Sequence, residues 1–229
     1  SYASTLAGQF NFLTPENAMK WGLMDERGYG PADVLVKFAS DNQMKVKGHC
    51  LVWHEMLPAR INSAMSSDAL RRAIQERIHD VAGRYKGKVY AWDVVNEAVD
   101  DDTEGLRKTI FLDKLGEGYI AEAFRLAHEA DPDALLIYND YGADGLGGKS
   151  DGVYELVKRL VADGVPIHGV GLQMHIDAAD YPKPEDIAAN VRRLAGLGLR
   201  VNISEMDVRI KDVPGSLAER LETQRRVYH

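Results

Sequence analysis

The chain carries 1 cysteine in 229 residues, so it has no internal disulfide and cannot be a disulfide-stapled scaffold. It also lacks long hydrophobic runs. Stretches such as Ala134–Tyr138 fall far short of the ~20 apolar residues a membrane-spanning helix needs. Positive charge is in deficit, with 28 Lys+Arg against 35 Asp+Glu and a net charge of −7. That balance gives no electrostatic case for a nucleic acid or an anionic membrane as partner. The 21 glycines follow no strict period, which excludes a collagen-like chain. No basic segment followed by an apolar core opens the chain, so no signal peptide is legible. What is present is enough for a core: 45% of residues are hydrophobic, which excludes disorder.

Six short apolar runs stand out: Phe10–Glu16, Lys45–Trp53, Val89–Glu97, Ala134–Asp140, His168–Ile176 and Arg200–Val208. Near-continuous apolar character suits strands buried on both faces, as in a parallel sheet. Helical periodicity fills the gaps. Leu70, Ile74, Ile78, Val81 and Tyr85 form one stripe, with Ser67 as its cap, and Val153, Leu156, Val157 and Leu160 form another. Pro31 suits a helix first turn, and Gly164 and Gly196 punctuate returns to the next strand. Strands starting every ~30 to 45 residues have the rhythm of βα crossover units. A (β/α)8 TIM barrel is the better reading and a doubly wound sheet the alternative. The latter usually follows its first strand with a Gly-rich phosphate loop, where this chain has Thr14-Pro-Glu-Asn. The run Gly145-Leu-Gly-Gly is read as a plain loop. With six strands, a short helix at Tyr2–Ala7 and another starting near Ser216, the barrel is expected to be incomplete, its first and last strands lying outside residues 1–229. The whole chain is thus read as one partial catalytic domain.

In such barrels, chemistry gathers at the C-terminal ends of the strands. Every run here ends in candidates: Glu16, Asn17 and Lys20; His49, Trp53 and His54; Asn96 and Glu97; Asn139, Asp140 and Tyr141; Gln173, His175 and Asp177; Glu205 and Asp207. A single polar residue at a strand end often just begins a turn. Six strands ending this way are harder to explain as turn chemistry. Glu205, between Ile203 and Met206, would be costly to bury in a strand without partners. Two acids across a polar barrel mouth can divide labour, one as general acid and one as nucleophile, which retaining glycoside hydrolysis requires at about 5–5.5 Å separation. Trp53 and Tyr141 offer flat apolar faces for sugar rings.

The motifs Thr-Pro-Glu16-Asn17-Ala-Met-Lys20-Trp, Gly-His49-Cys-Leu-Val-Trp53-His54, Trp-Asp-Val-Val-Asn96-Glu97, Asn139-Asp-Tyr141, Gly-Leu-Gln173-Met-His175 and Ile-Ser-Glu205-Met-Asp207 resemble those of glycoside hydrolase family 10, the endo-β-1,4-xylanases. The resemblance covers essentially the whole chain. It implies Glu97 as acid/base and Glu205 as nucleophile of a retaining double displacement on xylan. It further implies that Asn96 meets the sugar 2-hydroxyl, that Gln173 sits by Glu97, and that His175, with Asp207 behind it, orients Glu205. Glu16, Asn17, Lys20, His49 and Trp53 should line the glycone subsites, with Tyr141 on the aglycone side. No metal and no cofactor is implied. A monomer acting on xylan or xylo-oligosaccharides is expected, secreted or periplasmic because the substrate is a polymer.

Two positions depart from the family pattern. An aromatic often follows Leu-Pro where this chain reads Leu57-Pro-Ala-Arg60, and an asparagine commonly follows Tyr141 where Gly142 stands. The family's last strand, which helps select xylose over hexoses, is expected to lie outside the chain. Another β-glycanase, such as a cellulase or mannanase, therefore stays open at this stage, as does a xylan-binding fragment without turnover. A metal-dependent hydrolase using His49, His175, Asp140, Asp177 and Asp207 as ligands is a further alternative, but it leaves Asn96-Glu97 without a role. Cys50 reads as a small buried residue, His79 and His128 as helix residues, and Asp100-Asp-Asp as a solvated loop.

Overall fold

A computed structural model describes residues 1–229. In chain order the elements are α1 (Tyr2–Gln9), β1 (Phe12–Leu13), a 3₁₀ turn (Glu16–Met19), α2 (Trp21–Arg27), α3 (Gly30–Asp41), β2 (Lys45–Trp53), α4 (Ser67–Arg84), β3 (Ala91–Asn96), α5 (Ile110–Leu115), α6 (Gly118–Ala130), β4 (Leu135–Asp140), α7 (Gly148–Ala162), β5 (Gly169–Leu172), β6 (His175–Asp177), α8 (Pro184–Gly196), β7 (Arg200–Ile203), β8 (Asp207–Arg209) and α9 (Leu217–Tyr228). Six strands form one parallel sheet in the order β1-β2-β3-β4-β5-β7, and β6 pairs with β8 in a small second ladder. Each strand's neighbour in the main sheet is the next main-sheet strand along the chain, with a helical crossover between them. That is the winding of a (β/α)8 barrel, of which six strands are present. A doubly wound sheet would reverse its strand order part-way, and this one does not.

The core forms where helix stripes meet the outer face of the sheet. Leu70, Ile74, Ile78 and Val81 of α4, and Ile120, Ala123, Phe124 and Ala127 of α6, are all buried. Trp92 on β3 is fully buried, its ring tilted against Tyr85 at 6.4 Å. Room for it exists because residue 48 of the neighbouring strand is glycine. A Cβ there would stand 2.1 Å from the indole. With Trp92 facing the helices, its neighbour Asp93 faces the interior of the curved sheet, where it meets Lys47 and His49 of β2.

Several element boundaries differ from the sequence reading. The run Lys45–Trp53 is one strand as expected, but Phe10–Glu16 yields only a two-residue strand. The long runs His168–Ile176 and Arg200–Val208 each break in two. In the first, Met174 takes a left-handed φ of 63° and turns the chain into β6. In the second, Ser204–Met206 form the link between β7 and β8. Ser66, not Ser67, caps α4, accepting from the Ala69 amide at 3.2 Å. Glu205 is also less confined than a buried strand would make it. It lies on the β7–β8 link with 29% of its side chain exposed, and Ile203 and Met206 beside it are exposed.

Candidate active site

The C-terminal ends of the parallel strands converge on one polar cluster. Glu97 follows β3 directly, with φ 59°, a left-handed conformation that a non-glycine residue adopts only when its surroundings hold it there. Three donors converge on its carboxylate. Trp53 Nε1 donates to Oε2 at 2.7 Å, while Asn96 Nδ2 at 3.0 Å and Gln173 Nε2 at 2.9 Å donate to Oε1. Trp53 ends β2, Asn96 ends β3 and Gln173 follows β5, so three strand ends are drawn onto one side chain.

Glu205 belongs to the same cluster. Asn139 of β4 donates from Nδ2 to Glu205 Oε1 at 2.8 Å and to Asn96 Oδ1 at 2.9 Å. Its own Oδ1 accepts from Ser204 Oγ at 2.7 Å. Asn96 and Asn139 thus form a two-residue bridge between the carboxylates. His175 Nε2 stands 3.3 Å from Glu205 Oε2, and its Nδ1 stands 3.1 Å from Asp207 Oδ2. His49 Nδ1 lies 3.9 Å from Glu205 Oε1 and 2.9 Å from Asp93 Oδ2, and Lys47 Nζ is 2.9 Å from Asp93 Oδ1. The buried Asp93 thereby ties a lysine and a histidine beneath the cluster.

Glu16 and Asn17 lie on the 3₁₀ turn after β1, both exposed, with Lys20 just beyond. Lys20 Nζ sits 5.0 Å from the centre of the Trp53 ring, which brings this turn to the rim of the same cleft. Tyr141 follows β4 on the other side. Its hydroxyl donates to Asp101 Oδ2 at 2.7 Å and accepts from Arg107 Nη2 at 2.9 Å, and Lys149 Nζ lies 3.4 Å from its ring centre. Burial opposes the charge on Asp101, but hydrogen bonds from Arg107, Lys149 and Tyr141 outweigh it and hold this carboxyl well below the usual range. The acidic triplet 100–102 is therefore more than a solvated loop, since its middle member anchors Tyr141. Arg107 also donates from Nε to the backbone carbonyl of Glu97 at 3.2 Å.

Behind Glu97, the Tyr138 hydroxyl accepts from the amides of Ala98 and Val99 at 3.0 and 3.1 Å and donates to Asp140 Oδ2 at 2.5 Å. Burial raises the Asp140 carboxyl to about 6, against the pull of Lys149. His54 is pushed below its ordinary value, first by burial and next by the charge of Arg107.

The ligand set of the metal alternative is not gathered in one place. Asp140 is turned to Tyr138, His49 to Asp93, and His175 to Glu205 and Asp207. Burial pushes the Cys50 thiol far up, which suits a packing residue. Of the supporting residues, Asp93, Arg107, Ser204 and Lys149 were missed in the sequence. Only Asp93 carried a signal, as a carboxylate inside an apolar strand.

The sequence matches the profile of Glycosyl hydrolase family 10 over residues 1–229. The chain belongs to that family. It is 46% identical over 214 residues to a β-1,4-xylanase of Dictyoglomus thermophilum, covering 91% of this chain and 60% of that protein. It is 41% identical over 234 residues to endo-1,4-β-xylanase B of Thermotoga neapolitana, covering 99% of this chain and 66% of that protein. The chain therefore spans 60 to 66% of the length of these curated relatives. Among solved structures, xylanase 10B of Thermotoga petrophila in complex with xylobiose superposes with a TM-score of 0.93 at 42% identity, over 99% of this chain and 70% of that one. As a family 10 barrel, the chain has its polar cluster at the strand ends where such barrels carry their chemistry.

Proposed function

We propose that this protein is a retaining endo-1,4-β-xylanase, hydrolysing internal β-1,4-xylosidic bonds of xylan by double displacement. The observation that carries this reading is the pair Glu97 and Glu205, held in one polar cluster and linked through Asn96 and Asn139. In the first step Glu97 gives its proton to the glycosidic oxygen while a Glu205 oxygen attacks the anomeric carbon, forming a glycosyl ester and releasing the aglycone. In the second, Glu97 takes a proton from water, and that water displaces Glu205.

His175, backed by Asp207, fixes one oxygen of Glu205, and Asn139 fixes the other. The nucleophile then needs little reorganisation as charge develops on the sugar. In this reading Asn96 donates to the 2-hydroxyl with its second Nδ2 hydrogen. Gln173 and Trp53 hold Glu97. Trp53, with Lys20, Glu16, Asn17 and His49, bounds the glycone side, and Tyr141 offers the aglycone face. The polymeric substrate implies work outside the cytoplasm, and the reading takes the protein as a monomer.

Reducing-sugar release from soluble xylan by the purified chain tests this, with Glu205→Ala as control. Release that vanishes in the control is the expected result. Activity retained by Glu205→Ala would overturn the assignment. A panel of xylan, carboxymethyl cellulose and soluble mannan in the same assay tests the substrate, and preference for either of the last two would replace xylan in the reading.

A further inference from the structure

Two cations are buried in this protein, Lys47 and Arg77. Lys47 has Asp93 as its counter-ion at 2.9 Å. Arg77 meets no carboxylate. From the middle of α4 its guanidinium reaches three backbone carbonyls and a thioether. Nη2 donates to Met19 O at 2.5 Å and to Cys50 O at 3.0 Å, Nε to Leu51 O at 3.4 Å, and Nη1 lies 3.1 Å from Met24 Sδ. Burial lowers its pKa to about 10, which still leaves it charged at neutral pH. A buried charge with no counter-ion is costly unless its donors are filled, so the identity of the acceptors matters.

The three carbonyls belong to two separate segments, and the thioether to α2, which follows the first of them. Met19 closes the 3₁₀ turn that carries Glu16 and Asn17, and Lys20 follows it. Cys50 and Leu51 lie between His49 and Trp53, where the register of β2 against β3 shifts. Such irregularities re-aim side chains and cost ladder regularity. A planar fork of donors can hold several carbonyls at fixed spacing, which a lysine ammonium cannot do.

We propose that Arg77 is a positioning residue, clamping the turn Glu16–Met19 to the end of β2 and so setting the spacing between Glu16, Asn17 and Lys20 on one side and His49 and Trp53 on the other. This rests on the reading of those five side chains as sugar-binding. Arg77 itself lies behind the cleft and touches no substrate. Lys20 and Trp53, 5.0 Å apart across the two segments, mark the gap that the clamp sets.

The test uses Arg77→Lys and Arg77→Met in the full chain, each verified by far-UV dichroism and cooperative melting. Arg77→Lys keeps the charge and most of the stem, so it serves where Arg77→Met does not fold. Two readouts are taken: the indole N–H resonances of 15N-labelled protein, and xylotriose binding by calorimetry. Trp53 donates to Glu97 rather than touching Arg77, and Lys20 lies over its ring, so its resonance reports a shift of the end of β2 or of the turn facing it. The expected result is a displaced Trp53 resonance with Trp92 unmoved, and xylotriose binding weakened about tenfold, the scale of ~1.4 kcal/mol, in both variants. A Trp53 resonance at its wild-type position in a folded variant overturns the proposal, as does unaltered binding. Wild-type protein that binds no xylotriose counts against the function, and the Trp53 resonance then decides the clamp by itself.

Discussion

Asn139 holds Glu205 through a single hydrogen, Nδ2 to Oε1 at 2.8 Å, with the rest of its amide fixed by Asn96 and Ser204. A donor fixed at both ends can present itself to a carboxylate without reorganising. Removing it in Asn139→Ala strips Glu205 of a charge-assisted bond of ~1.5–3 kcal/mol. The expected outcome is a 10- to 100-fold lower kcat on soluble xylan, by the usual conversion of about 1.4 kcal/mol per decade, in a chain whose dichroism is unchanged.

Gly171→Ala should reach the same bond from the other direction. A Cβ at residue 171 would stand 2.1 Å from Asn139 Oδ1 and 3.4 Å from Ser204 Oγ. Asn139 is fully buried and has nowhere to withdraw without giving up its partners. Overpacking of this kind costs ~1–3 kcal/mol. Urea denaturation should register that loss, and kcat should fall along with it. A variant with wild-type kcat would mean that the strand end can move without disturbing Glu205.

The fold was legible where the chain's own periodicity decides it. The stripe Leu70–Tyr85 lies buried along α4 and at its C-terminal cap, and Lys45–Trp53 is one strand because its residues are nearly all buried. The break at Met174 was not legible, since an apolar run gives no sign that a non-glycine residue will turn left-handed, and the one at Ser204 interrupts a run that alternates no differently from a strand. The candidates at strand ends could be named because barrel architecture says where to look. Their supports could not, because the partners are far apart in sequence: Asn139 and Glu205 are 66 residues apart, and Arg77 and Met19 are 58 apart. Arg77 did leave a trace. It falls between Ile74 and Ile78 on the buried face of α4, where an amphipathic pattern has no use for a charge.

Asp140 and Asp101 should respond to pH with opposite signs. The folded-state value of Asp140, raised to about 6 by burial, exceeds its unfolded value near 3.9. Its contribution to stability is therefore fully present below about pH 4 and lost as pH rises through 6. In Asp140→Asn this dependence disappears. Relative to wild type, the variant should gain about 2 kcal/mol between pH 4 and 7.5, whatever fixed cost it carries from the lost contacts with Tyr138 and Lys149. Urea midpoints at the two pH values measure it.

Asp101 is held below its ordinary value, so its contribution is present at neutral pH and fades as pH falls below about 4 toward the folded-state value. Nearly half of its side chain is exposed, at 45%, and solvent screening limits the effect to ~1 kcal/mol or less. Asp101→Asn should melt a few degrees below wild type at pH 7, and the gap should close at low pH. The same substitution leaves one oxygen where two served Arg107, Lys149 and the Tyr141 hydroxyl, which loosens Tyr141, so KM for xylo-oligosaccharides should rise while kcat holds.

Gly142 has φ 65°, and a Cβ there would meet only Lys149 Cδ at 3.5 Å. Asparagine tolerates that conformation better than other side chains. Gly142→Asn should fold normally and, by placing an amide beside Tyr141, lower KM for longer xylo-oligosaccharides more than for short ones. Equal KM values across the series would remove residue 142 from the aglycone side.

Glu16, Glu97 and Met174 share an uncommon backbone trait, a left-handed φ of 44°, 59° and 63° without being glycine. Each backbone would sit more comfortably as glycine, by the ~1 kcal/mol or more that a side chain costs in that conformation. A library selected for heat resistance alone should therefore drift toward glycine at Glu16 and at Glu97, the proposed acid, but not at Met174, whose buried side chain is worth ~2–5 kcal/mol. Thermal tolerance and turnover pull against each other at the same residue, so a stabilised lineage that keeps its catalysis has to gather its gains in the helices and leave these turns alone.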